Sequence, residues 1–461
     1  MNRWYLSDIE KPVSGKILAS DAAFEGVSID SRSIRAGELF VALVGDRFDG
    51  NAFIQEVEEK KAAAVMTTAK NLATSLPTIQ VADTYQGLAD LAGWIREQFT
   101  GTIVGITGSC GKTTVKEILL WLLESKYKSL ATVANYNNEI GVPLTLCGLE
   151  DTHENAVIEM GATKKGDIDY TTSIARPNIA VISSIAHSHT ASMGNLQQIA
   201  RVKGEIFNYL NPEGVAVIPY NQEYTELWNA KIANKKIITF GLDNNANYSA
   251  TNISMDNQGM SFTLLIDKQP KCRVNLPLWG NHNIHNALAA ISVAHLLEIE
   301  LSEISNSLSE LTPVAGRLEI ISSHLGAKVI DDTYNANPDS VKAAIDVLDS
   351  HIWEDCNKIA ILGDMYDLGD YAIEAHTEIG RYISATNISE LFTVGSVSQH
   401  ISQELAVAKS GNRCRHFNNN KELLAYLHNM PPERWKKNII LLKASRNAHL
   451  EEIVNFFITN K

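Results

Sequence analysis

Ten residues, Gly105-Ile-Thr-Gly-Ser-Cys-Gly-Lys-Thr-Thr114, constrain this chain more than any other stretch. The apolar residues 102–104 before them predict a buried strand, and residues 115–123 after them predict a helix with an apolar face. A glycine-rich turn at such a junction directs several backbone N–H groups at one point, beside the positive end of the helix dipole. Lys112 adds a full positive charge, and a threonine hydroxyl in this position ligates Mg²⁺. The stretch therefore predicts a phosphate-binding loop.

The glycine spacing of this loop departs from the standard P-loop motif. Where the motif G-x-x-x-x-G-K-[ST] has its first glycine, this chain has Ile106. The glycines stand instead at positions 105, 108 and 111. The alternative interpretation is an ordinary tight turn with a surface lysine. The order of strand, glycines, Lys-Thr and helix favours phosphate binding.

Length and composition indicate a soluble globular protein of two to four domains. The chain has 461 residues, of which 45% are hydrophobic and 20% are charged. The net charge of −13 argues against a broad nucleic-acid-binding face. The five cysteines form no C-x-x-C pair, which argues against a disulfide framework or a zinc site. With no signal-peptide pattern and no membrane-spanning run, we expect a cytoplasmic protein without membrane insertion.

The chain divides into three blocks, which we predict to be domains: 1–98, 99–312 and 313–461. The first block reads as a small α/β unit with the turn Asp30-Ser31-Arg32 before the apolar run 39–43. Such a turn can hold a phosphate or a uracil edge, although composition alone favours a capped turn with a solvated arginine. The second block reads as a parallel sheet around the loop, with an antiparallel ribbon at 248–274. Alternating βα units in the third block predict a Rossmann-type sheet, and the absence of G-x-G-x-x-G argues against a dinucleotide site.

Polar residues follow two predicted strands of the second block. Glu159 ends the strand that begins at Ala156, on the side where open α/β sheets bind ligands. A carboxylate there is suited to the Mg²⁺ of a nucleotide. His187 and His189 follow the strand at 178–185, and the residues alone leave a structural or a metal-binding role equally open.

Lys203 stands within an apolar helical stripe. It shares a helix face with Leu196, Ile199, Ile206 and Leu210. Burial lowers the pKa of an amine, and a neutral amine can add CO₂ to form a carbamate, an anion that can ligate Mg²⁺. The alternative is that the side chain reaches solvent along the groove, and the residues alone favour that alternative.

Several motifs together resemble one family, the Mur ligases, which are ATP-dependent amide-bond-forming enzymes of peptidoglycan precursor synthesis. The resemblance covers all three blocks in order. It rests on the loop spacing G-x-x-G-x-x-G-K-T and on the segments Asn137-Asn-Glu-Ile-Gly-Val-Pro143, Lys203-Gly-Glu-Ile-Phe207, Gly280-x-His-Asn-x-x-Asn-Ala287, Asp332-Thr-Tyr-Asn-Ala-Asn-Pro-Asp-Ser340, Gly363-Asp-Met365, Leu368-Gly369 and Lys443-x-Ser-Arg446.

The resemblance implies a three-domain α/β fold and a reaction. Residues 1–98 would form a small α/β domain that binds the UDP substrate. Residues 99–312 would form a central ATP-binding domain with a P-loop-type parallel sheet, and residues 313–461 a C-terminal Rossmann-like domain. Among the subgroups, the chain is most similar to the ligases that join D-alanyl-D-alanine to UDP-N-acetylmuramoyl-tripeptide through an acyl phosphate. These small molecules would be its partners, and we expect a monomer.

The resemblance also implies roles for single residues, including catalytic roles for Lys112, Lys203 and His189. ATP would contact Gly108, Ser109, Cys110, Gly111, Lys112, Thr113, Thr114, Asn283, Asn286, Arg317 and Asp332. The UDP substrate would contact Ser31, Arg32, Asn137 and Asn138. Two Mg²⁺ ions would be held by Thr113, Glu159, His189 and a carbamylated Lys203.

The chain departs from the family pattern at three places. Asn51 stands where the family often has histidine, and Ala444 replaces a usual glycine. Residues 188–194 differ from the common family segment, which leaves open whether His187 or His189 is the metal ligand.

Three alternative functions remain open from the sequence. The ligase that adds the tripeptide's third residue carries an Asp-Asn-Pro-Arg signature, which is absent here. Folylpolyglutamate synthetase is a more distant possibility. A nucleotide-dependent binding protein without catalysis is the third, and intact Lys112, Glu159 and Lys203 argue against it.

Overall fold

Three sheets organise the chain. The structure, a computed structural model, describes residues 2–45, 48–70, 72–187, 193–408 and 413–459. No helix in these ranges is both long and apolar enough to cross a membrane. The predicted division into domains at 98/99 and 312/313 stays a prediction, and we refer below to the first, middle and third sheets.

The first sheet has five strands and lies near the N-terminus. Its strands are parallel except for the edge strand Lys16–Ile17. In spatial order they are Lys16–Ile17, Thr78–Gln80, Ala64–Thr67, Leu39–Val41 and Val27–Ser28. The accompanying helices are Leu6–Ile9, Ile54–Glu59 and Thr84–Gln98, with a 3₁₀ turn at Gly50–Phe53. Two short ribbons complete this part, Trp4–Tyr5 with Ala23–Phe24 and Val44–Gly45 with Phe48–Asp49.

The middle sheet has nine strands, the last three joined as an antiparallel ribbon. In spatial order they are Ser129–Ala131, Asn155–Glu159, Thr102–Thr107, Ile179–Ile182, Val215–Pro219, Lys236–Phe240, Tyr248–Asp256, Gly259–Ile266 and Gln269–Leu276. Its helices are Lys112–Glu124, Gly141–Leu146, Asp167–Ala175, Leu196–Lys203, Gln222–Ile232, Asn281–Leu296 and Leu301–Ser309, with a 3₁₀ turn at Gly204–Phe207.

The third sheet has six strands, parallel except for Glu319–Ser322 at one edge. In spatial order they are Glu319–Ser322, Lys328–Asp332, Asn438–Lys443, Asn357–Gly363, Glu390–Val394 and Arg413–Phe417. The helices are Pro338–Asp349, Ala372–Ser384, Gln399–Ala408, Asn420–His428 and Glu451–Ile458, with 3₁₀ turns at His351–Trp353, Gly369–Tyr371, Pro432–Trp435 and Arg446–Ala448. The predicted Rossmann-like arrangement and the three-part α/β fold are confirmed.

The apolar cores connect the first sheet to the middle sheet. Leu91 and Ile95 of helix Thr84–Gln98 belong to the same buried cluster as Ile103 and Ala175 from the middle sheet's side. The third sheet has clusters of its own on each face. One of these includes Trp279, which comes from the middle part of the chain and donates its indole N–H to the carbonyl of Asp256. The third sheet therefore meets the rest of the molecule around Trp279.

The phosphate-loop strand lies at a switch point of the middle sheet. Strand Thr102–Thr107 has Asn155–Glu159 on one side and Ile179–Ile182 on the other, and all three run parallel. In the register of these strands, Ile106 is opposite Glu159 and Thr107 is opposite Ile182. Their carboxyl ends therefore meet at one edge, where open α/β sheets form a crevice for ligands.

The helix that carries Lys203 is shorter than its periodicity predicts. The apolar pattern runs to Leu210, but the α-helix ends at Lys203 and continues as the 3₁₀ turn Gly204–Phe207. A Cβ at Gly204 would lie 2.4 Å from the indole of Trp228, which packs directly against the turn. The tighter turn keeps Ile206 and Leu210 buried, so the predicted apolar face is retained.

Candidate active site

Two glycines give the phosphate loop its shape. Gly108 has φ of +147° and Gly111 has φ of +80°, conformations that residues with a Cβ rarely adopt. A Cβ at Gly108 would lie 2.1 Å from the hydroxyl of Ser183, and one at Gly111 would lie 2.2 Å from the amide oxygen of Asn286. Other side chains therefore pack closely against both glycines.

The end of the neighbouring strand holds the loop in place. The backbone N–H of Ser109 donates to the carbonyl of Ser184 at 2.9 Å, and that of Cys110 donates to the Ser184 hydroxyl at 3.0 Å. The Ser183 hydroxyl donates to the carbonyl of Cys110. Lys112 folds back over the loop, with its ammonium 2.9 Å from the carbonyl oxygen of Gly108. Its charge thus lies at the centre of the loop, where a phosphate would sit.

Glu159 lies beside the loop and is buried. One carboxylate oxygen accepts from the hydroxyl of Thr113 at 2.8 Å, and the other accepts from the amide of Asn137 at 2.7 Å. The structure thus brings together three residues that the sequence analysis assigned to metal and substrate. Asn138, the second predicted substrate contact of this loop region, is exposed and accepts the N–H of Gly141, the first residue of helix Gly141–Leu146, at 2.9 Å.

Lys203 is buried, with 1% of its surface exposed. Burial lowers its pKa to about 7, and the nearby charge of Lys112 lowers it in the same direction. A lysine in this setting is neutral for much of the time at neutral pH, which is the state that adds CO₂. The alternative in which Lys203 reaches solvent is wrong.

A narrow cleft lies between helix Lys112–Glu124 and residues 311–317, the segment that leads into the third sheet. Its open volume is only about 10 Å³, room for little more than one water molecule. A nucleotide base therefore requires the cleft to widen. The lining residues are Thr114, Glu117, Ile118, Leu278, Asn283, Leu311, Thr312, Val314 and Arg317.

Of the predicted nucleotide contacts, Asn283 and Arg317 line this cleft, and Asn286 lies beside Asn283. Asn283 and Asn286 are buried, and the Asn286 amide donates to the side-chain oxygen of Asn283 at 3.2 Å. The guanidinium of Arg317 stacks on the ring of Tyr334 at 4.1 Å, and its buried Nε has no hydrogen-bond partner in the part of the chain described. An unpartnered buried donor suits an incoming phosphate oxygen.

Asp332, the predicted ribose contact, is engaged in an ion pair. One of its oxygens lies 2.5 Å from the ammonium of the buried Lys443, which also donates to the carbonyl of Asn335 at 2.9 Å. Burial raises the pKa of Asp332, while Lys443 opposes that rise. The backbone N–H of Leu318 also donates to the Asp332 carboxylate.

The third sheet's first helix begins directly over the phosphate loop. The amide of Asn337, the N-cap of helix Pro338–Asp349, donates to the sulfur of Cys110 at 2.8 Å. The carboxylate of Asp339 accepts the backbone N–H of His187 at 3.3 Å. Burial raises the pKa of the Cys110 thiol, which stays protonated and unreactive there. The loop is therefore covered by a different part of the chain from the one that forms it.

A cavity of about 510 Å³ opens beside this contact. The sequence analysis did not identify Lys342 and Glu378, two charged residues that line this cavity. It included Asp339 only as part of the segment 332–340. The Lys342 ammonium lies 2.6 Å from the carboxylate of Glu378, which also accepts the hydroxyl of Tyr371 at 2.9 Å. Burial and Glu378 together raise the pKa of Tyr371. The lining residues are Ile185, Ala186, His187, Leu196, Pro338, Asp339, Lys342, Tyr371 and Glu378.

The remaining predicted contacts lie on the first sheet or outside the described residues. Ser31 is buried and donates its hydroxyl to Glu56 at 3.0 Å. Arg32 is exposed and pairs with both oxygens of Asp30, at 2.9 and 2.7 Å. The Arg32 hydrogen bonds lower the pKa of Asp30 to about 2. His189 falls outside the described residues.

Comparisons with known proteins place the chain in a family. Three family models match it in order: "Mur ligase family, catalytic domain" over residues 23–93, "Mur ligase middle domain" over 106–294, and "Mur ligase, glutamate ligase domain" over 316–446. A UDP-N-acetylmuramoyl-tripeptide–D-alanyl-D-alanine ligase from Buchnera aphidicola (subspecies Baizongia pistaciae) is 39% identical, over 95% of this chain and 93% of that protein. The chain belongs to the Mur ligase family.

Solved structures agree with this membership. A crystal structure of MurF from Acinetobacter baumannii matches this Mur ligase with a TM-score of 0.89 and 30% identity, covering 99% of both chains. A MurF ligase from Thermotoga maritima, solved in complex with ADP, matches with a TM-score of 0.81 and 26% identity, covering 94% of this chain and 97% of that one. The family resemblance predicted from the sequence motifs is confirmed.

Replacing Gly111 by alanine tests the geometry of the loop in this Mur ligase. The new Cβ would strain a left-handed residue and collide with Asn286, so we expect ADP affinity to fall by roughly 100-fold, about 3 kcal/mol, in calorimetric titration. Gly93→Ala is the matched control, because a Cβ there meets nothing within 4 Å on helix Thr84–Gln98. We expect that control to bind ADP normally and to gain roughly 0.4–1 kcal/mol of stability. Equal ADP affinities for the two variants would contradict the assignment of the loop.

Proposed function

We propose that this chain is the ATP-dependent ligase that joins D-alanyl-D-alanine to UDP-N-acetylmuramoyl-tripeptide in peptidoglycan precursor synthesis. The observation that carries the proposal is that three features of the site lie close together. The phosphate loop, the buried Lys203 and a charged cavity meet where helix Pro338–Asp349 begins, between the middle and third sheets. The names of the full-length relatives supply the substrates.

ATP binds with its triphosphate on the loop and its base in the cleft. The backbone N–H groups at the start of helix Lys112–Glu124 and the ammonium of Lys112 hold the β- and γ-phosphates. Asn283 and Asn286 face the base, Arg317 reaches a phosphate, and Asp332 takes the ribose. The relative from Thermotoga maritima that was solved with ADP supports nucleotide binding by this fold. Because the cleft is nearly closed, the third sheet must move away before ATP enters and return afterwards.

The residues beside the loop fit Mg²⁺. Thr113 and Glu159 present hard oxygen donors, 2.8 Å apart, next to the phosphate position. Among the described residues there is no cluster of three or more histidine, cysteine or acidic side chains that could hold a metal alone. That agrees with Mg²⁺, which is commonly held by one or two carboxylates and by substrate phosphates. When bound, the ions neutralise charge on the transferring phosphoryl group.

Lys203 provides a further metal-binding anion as a carbamate. Its neutral amine attacks CO₂ and loses a proton, which leaves a carboxylate-like group on Nζ. Burial lowers the pKa of Lys203 most, and the neighbouring charge of Lys112, which lowers it further, attracts the carbamate anion. His189 is proposed as a second ligand, on the family resemblance.

The reaction proceeds in two steps on this surface. An oxygen of the tripeptide's terminal carboxylate attacks the γ-phosphorus of ATP, and ADP leaves. The amine of D-alanyl-D-alanine then attacks the carbonyl carbon of the acyl phosphate, loses a proton and expels inorganic phosphate. Lys112 stabilises the charge of the first step. The helix start at Asn337 keeps water away from the acyl phosphate, which would otherwise hydrolyse.

The 510 Å³ cavity is proposed as the site of the dipeptide. Asp339 lies next to the loop and suits the ammonium end, whereas Lys342 lies one helical turn further away and suits the carboxylate. Ala186 and Pro338 give apolar contact for the methyl groups. This orientation directs the attacking nitrogen toward the loop.

The UDP end of the other substrate is proposed to bind the first sheet's part of the chain. Ser31 and Arg32 are the candidates there, with Asn137 and Asn138 on the facing loop. The hydrogen bond to Asp30 raises the pKa of Arg32 most, and Tyr136 of the facing loop adds to that rise, so the two regions are neighbours. We further propose that the domains are 1–98, 99–312 and 313–461 and that the protein is a monomer. Because ATP is the energy source, we propose that the reaction takes place in the cytoplasm.

The carbamate on Lys203 is testable by ¹³C NMR after equilibration with labelled bicarbonate. We expect a carbamate signal that grows as the pH rises through about 7, because the lowered pKa leaves the amine charged below that value and neutral above it. Lys203→Met should remove the signal, and Lys203→Ala should lose ligation by roughly 100-fold or more, with partial recovery on adding short carboxylates. Lys231→Met, at an exposed lysine whose ammonium donates to the carbonyl of Gly204, should keep the signal. A wild-type enzyme with no signal at pH 8 would contradict the role.

The dipeptide site is testable by steady-state kinetics, following ADP while each substrate is varied. We expect ADP release only when UDP-tripeptide and dipeptide are both present. Lys342→Met should raise the KM for the dipeptide by roughly 10-fold or more, since a charged hydrogen bond contributes about 1.5–3 kcal/mol, and leave the KM for ATP unchanged. Arg381→Met, which removes an exposed ion pair with Glu404, should match the wild type. Steady-state ADP release without dipeptide, beyond the single turnover that forms the acyl phosphate, would contradict the ligase function, whereas an unchanged dipeptide KM would contradict only the site.

A further inference from the structure

Lys116 is an unusual residue for its position. It lies on the buried face of helix Lys112–Glu124, among Val115, Ile118 and Leu119, with 2% of its surface exposed. Lysine is almost never buried unless its charge is compensated, and an aliphatic side chain would fill the space at lower cost. Packing therefore does not explain why a lysine stands there.

The ammonium of Lys116 fixes the residue Thr132. It donates to the carbonyl oxygen of Thr132 at 2.6 Å and pairs with Glu117 at 2.7 Å. Every other polar group of Thr132 is also used: its N–H donates to the carbonyl of Val157, and its hydroxyl oxygen accepts the N–H of Glu159, both at 3.0 Å. Lys116 thus holds a residue that in turn holds the backbone of Glu159.

The hydroxyl of Thr132 takes the place of a backbone hydrogen bond between two neighbouring strands. The register between strands Ser129–Ala131 and Asn155–Glu159 ends with Ala131 opposite Val157. The Thr132 hydroxyl supplies a partner for the N–H of Glu159 beyond that point. An unpaired N–H at this buried residue would be unfavourable.

The segment 132–137 then returns to Glu159 from the other side. It turns through a hydrogen bond from the N–H of Tyr136 to the carbonyl of Val133. Asn137 donates its amide to the Glu159 carboxylate at 2.7 Å, and its carbonyl accepts the N–H of Gly161 at 2.7 Å. Glu159 is therefore held at its backbone and at its carboxylate by the two ends of one short segment, whose first end is bound to Lys116.

We infer that Lys116 is a positioning residue that aligns Glu159 and Asn137 for Mg²⁺ and substrate. This inference rests on the proposed function, in which Glu159 binds the metal. Helix Lys112–Glu124 holds that carboxylate twice, directly through Thr113 and indirectly through Lys116. Glu117, the ionic partner of Lys116, lines the cleft assigned to the base. The cleft assigned to the nucleotide base and the carboxylate of Glu159 are thus connected through two adjacent side chains, those of Glu117 and Lys116.

Hydrogen–deuterium exchange of the enzyme without nucleotide tests the positioning role without any metal. Lys116→Met keeps the length of the side chain and removes the ammonium. We expect the Glu159 amide and the amides of 129–137 to exchange at least about 10-fold faster in this variant. Lys358→Met is the matched control, because Lys358 is also buried and donates to backbone carbonyls, those of Asp349 and Ser350, in the third sheet's part of the chain. It should leave this region unchanged.

Binding of Mn²⁺ in the presence of ADP, followed by electron paramagnetic resonance, gives the second readout. We expect Lys116→Met to weaken Mn²⁺ binding by roughly 10–100-fold, as for other residues that orient metal ligands. Thr132→Val should have the same effect because it removes the hydroxyl acceptor, and Thr132→Ser should restore wild-type binding. The threonine pair keeps the test decisive if Lys116→Met fails to fold.

The outcomes separate this inference from the proposed function. Unchanged exchange and unchanged Mn²⁺ affinity in Lys116→Met and Thr132→Val, with an active wild-type ligase, would overturn the positioning role alone. Faster exchange and weaker Mn²⁺ binding would support the positioning role of Lys116 even if the wild-type enzyme joined a different acceptor to its substrate.

Discussion

The seating of helix Pro338–Asp349 on the phosphate loop is the contact on which the site depends. Its N-cap residue Asn337 donates to Cys110 within the loop, and Asp339 in its first turn accepts the N–H of His187. These two hydrogen bonds join parts of the chain that belong to different sheets. They cover the loop, and they also form one wall of the cavity proposed for the dipeptide. Protection of the acyl phosphate and delivery of the amine therefore follow from the same contact.

Buried lysines are concentrated around this contact, although the whole chain carries a net charge of −13. Lys116, Lys203 and Lys443 are each at most 2% exposed, and each lies close to the loop or to a residue assigned to ATP. Charges buried in this way lower the stability of a fold unless partners compensate them. Their concentration at one site is expected where a triphosphate and metal ions bind. The same charges make the site dependent on its ligands for full stability.

Local patterns made part of this site predictable from sequence. The loop and Glu159 follow strands whose apolar runs are recognisable, and Lys203 interrupts a helical stripe, so each could be found within a window of about ten residues. The roles of Arg317 and Asp332 came only from the family resemblance. The pairing of Asp332 with Lys443 joins residues from two neighbouring strands that are far apart in the sequence, and no local pattern contains it.

Residues that act through tertiary contacts were not predictable. Lys342 and Glu378 line the cavity proposed for the dipeptide from two different helices, and neither interrupts an apolar stripe. Lys116 resembles any other charged residue of a helix until its burial against Thr132 is known. The α-helix ends at Lys203, where the indole of Trp228 packs against Gly204, a contact between two helical segments. In each case the deciding neighbour is remote in sequence.

Transfer of ¹⁸O from the tripeptide's terminal carboxylate to phosphate is the most direct test of the central claim, an acyl phosphate formed on the covered loop. UDP-N-acetylmuramoyl-tripeptide labelled at both oxygens of that carboxylate would be turned over with ATP and D-alanyl-D-alanine, and the released phosphate analysed by mass spectrometry. Because a carboxylate oxygen bonds to the γ-phosphorus and leaves with it, each phosphate should carry one labelled atom. Release of unlabelled phosphate during ligation would contradict the account.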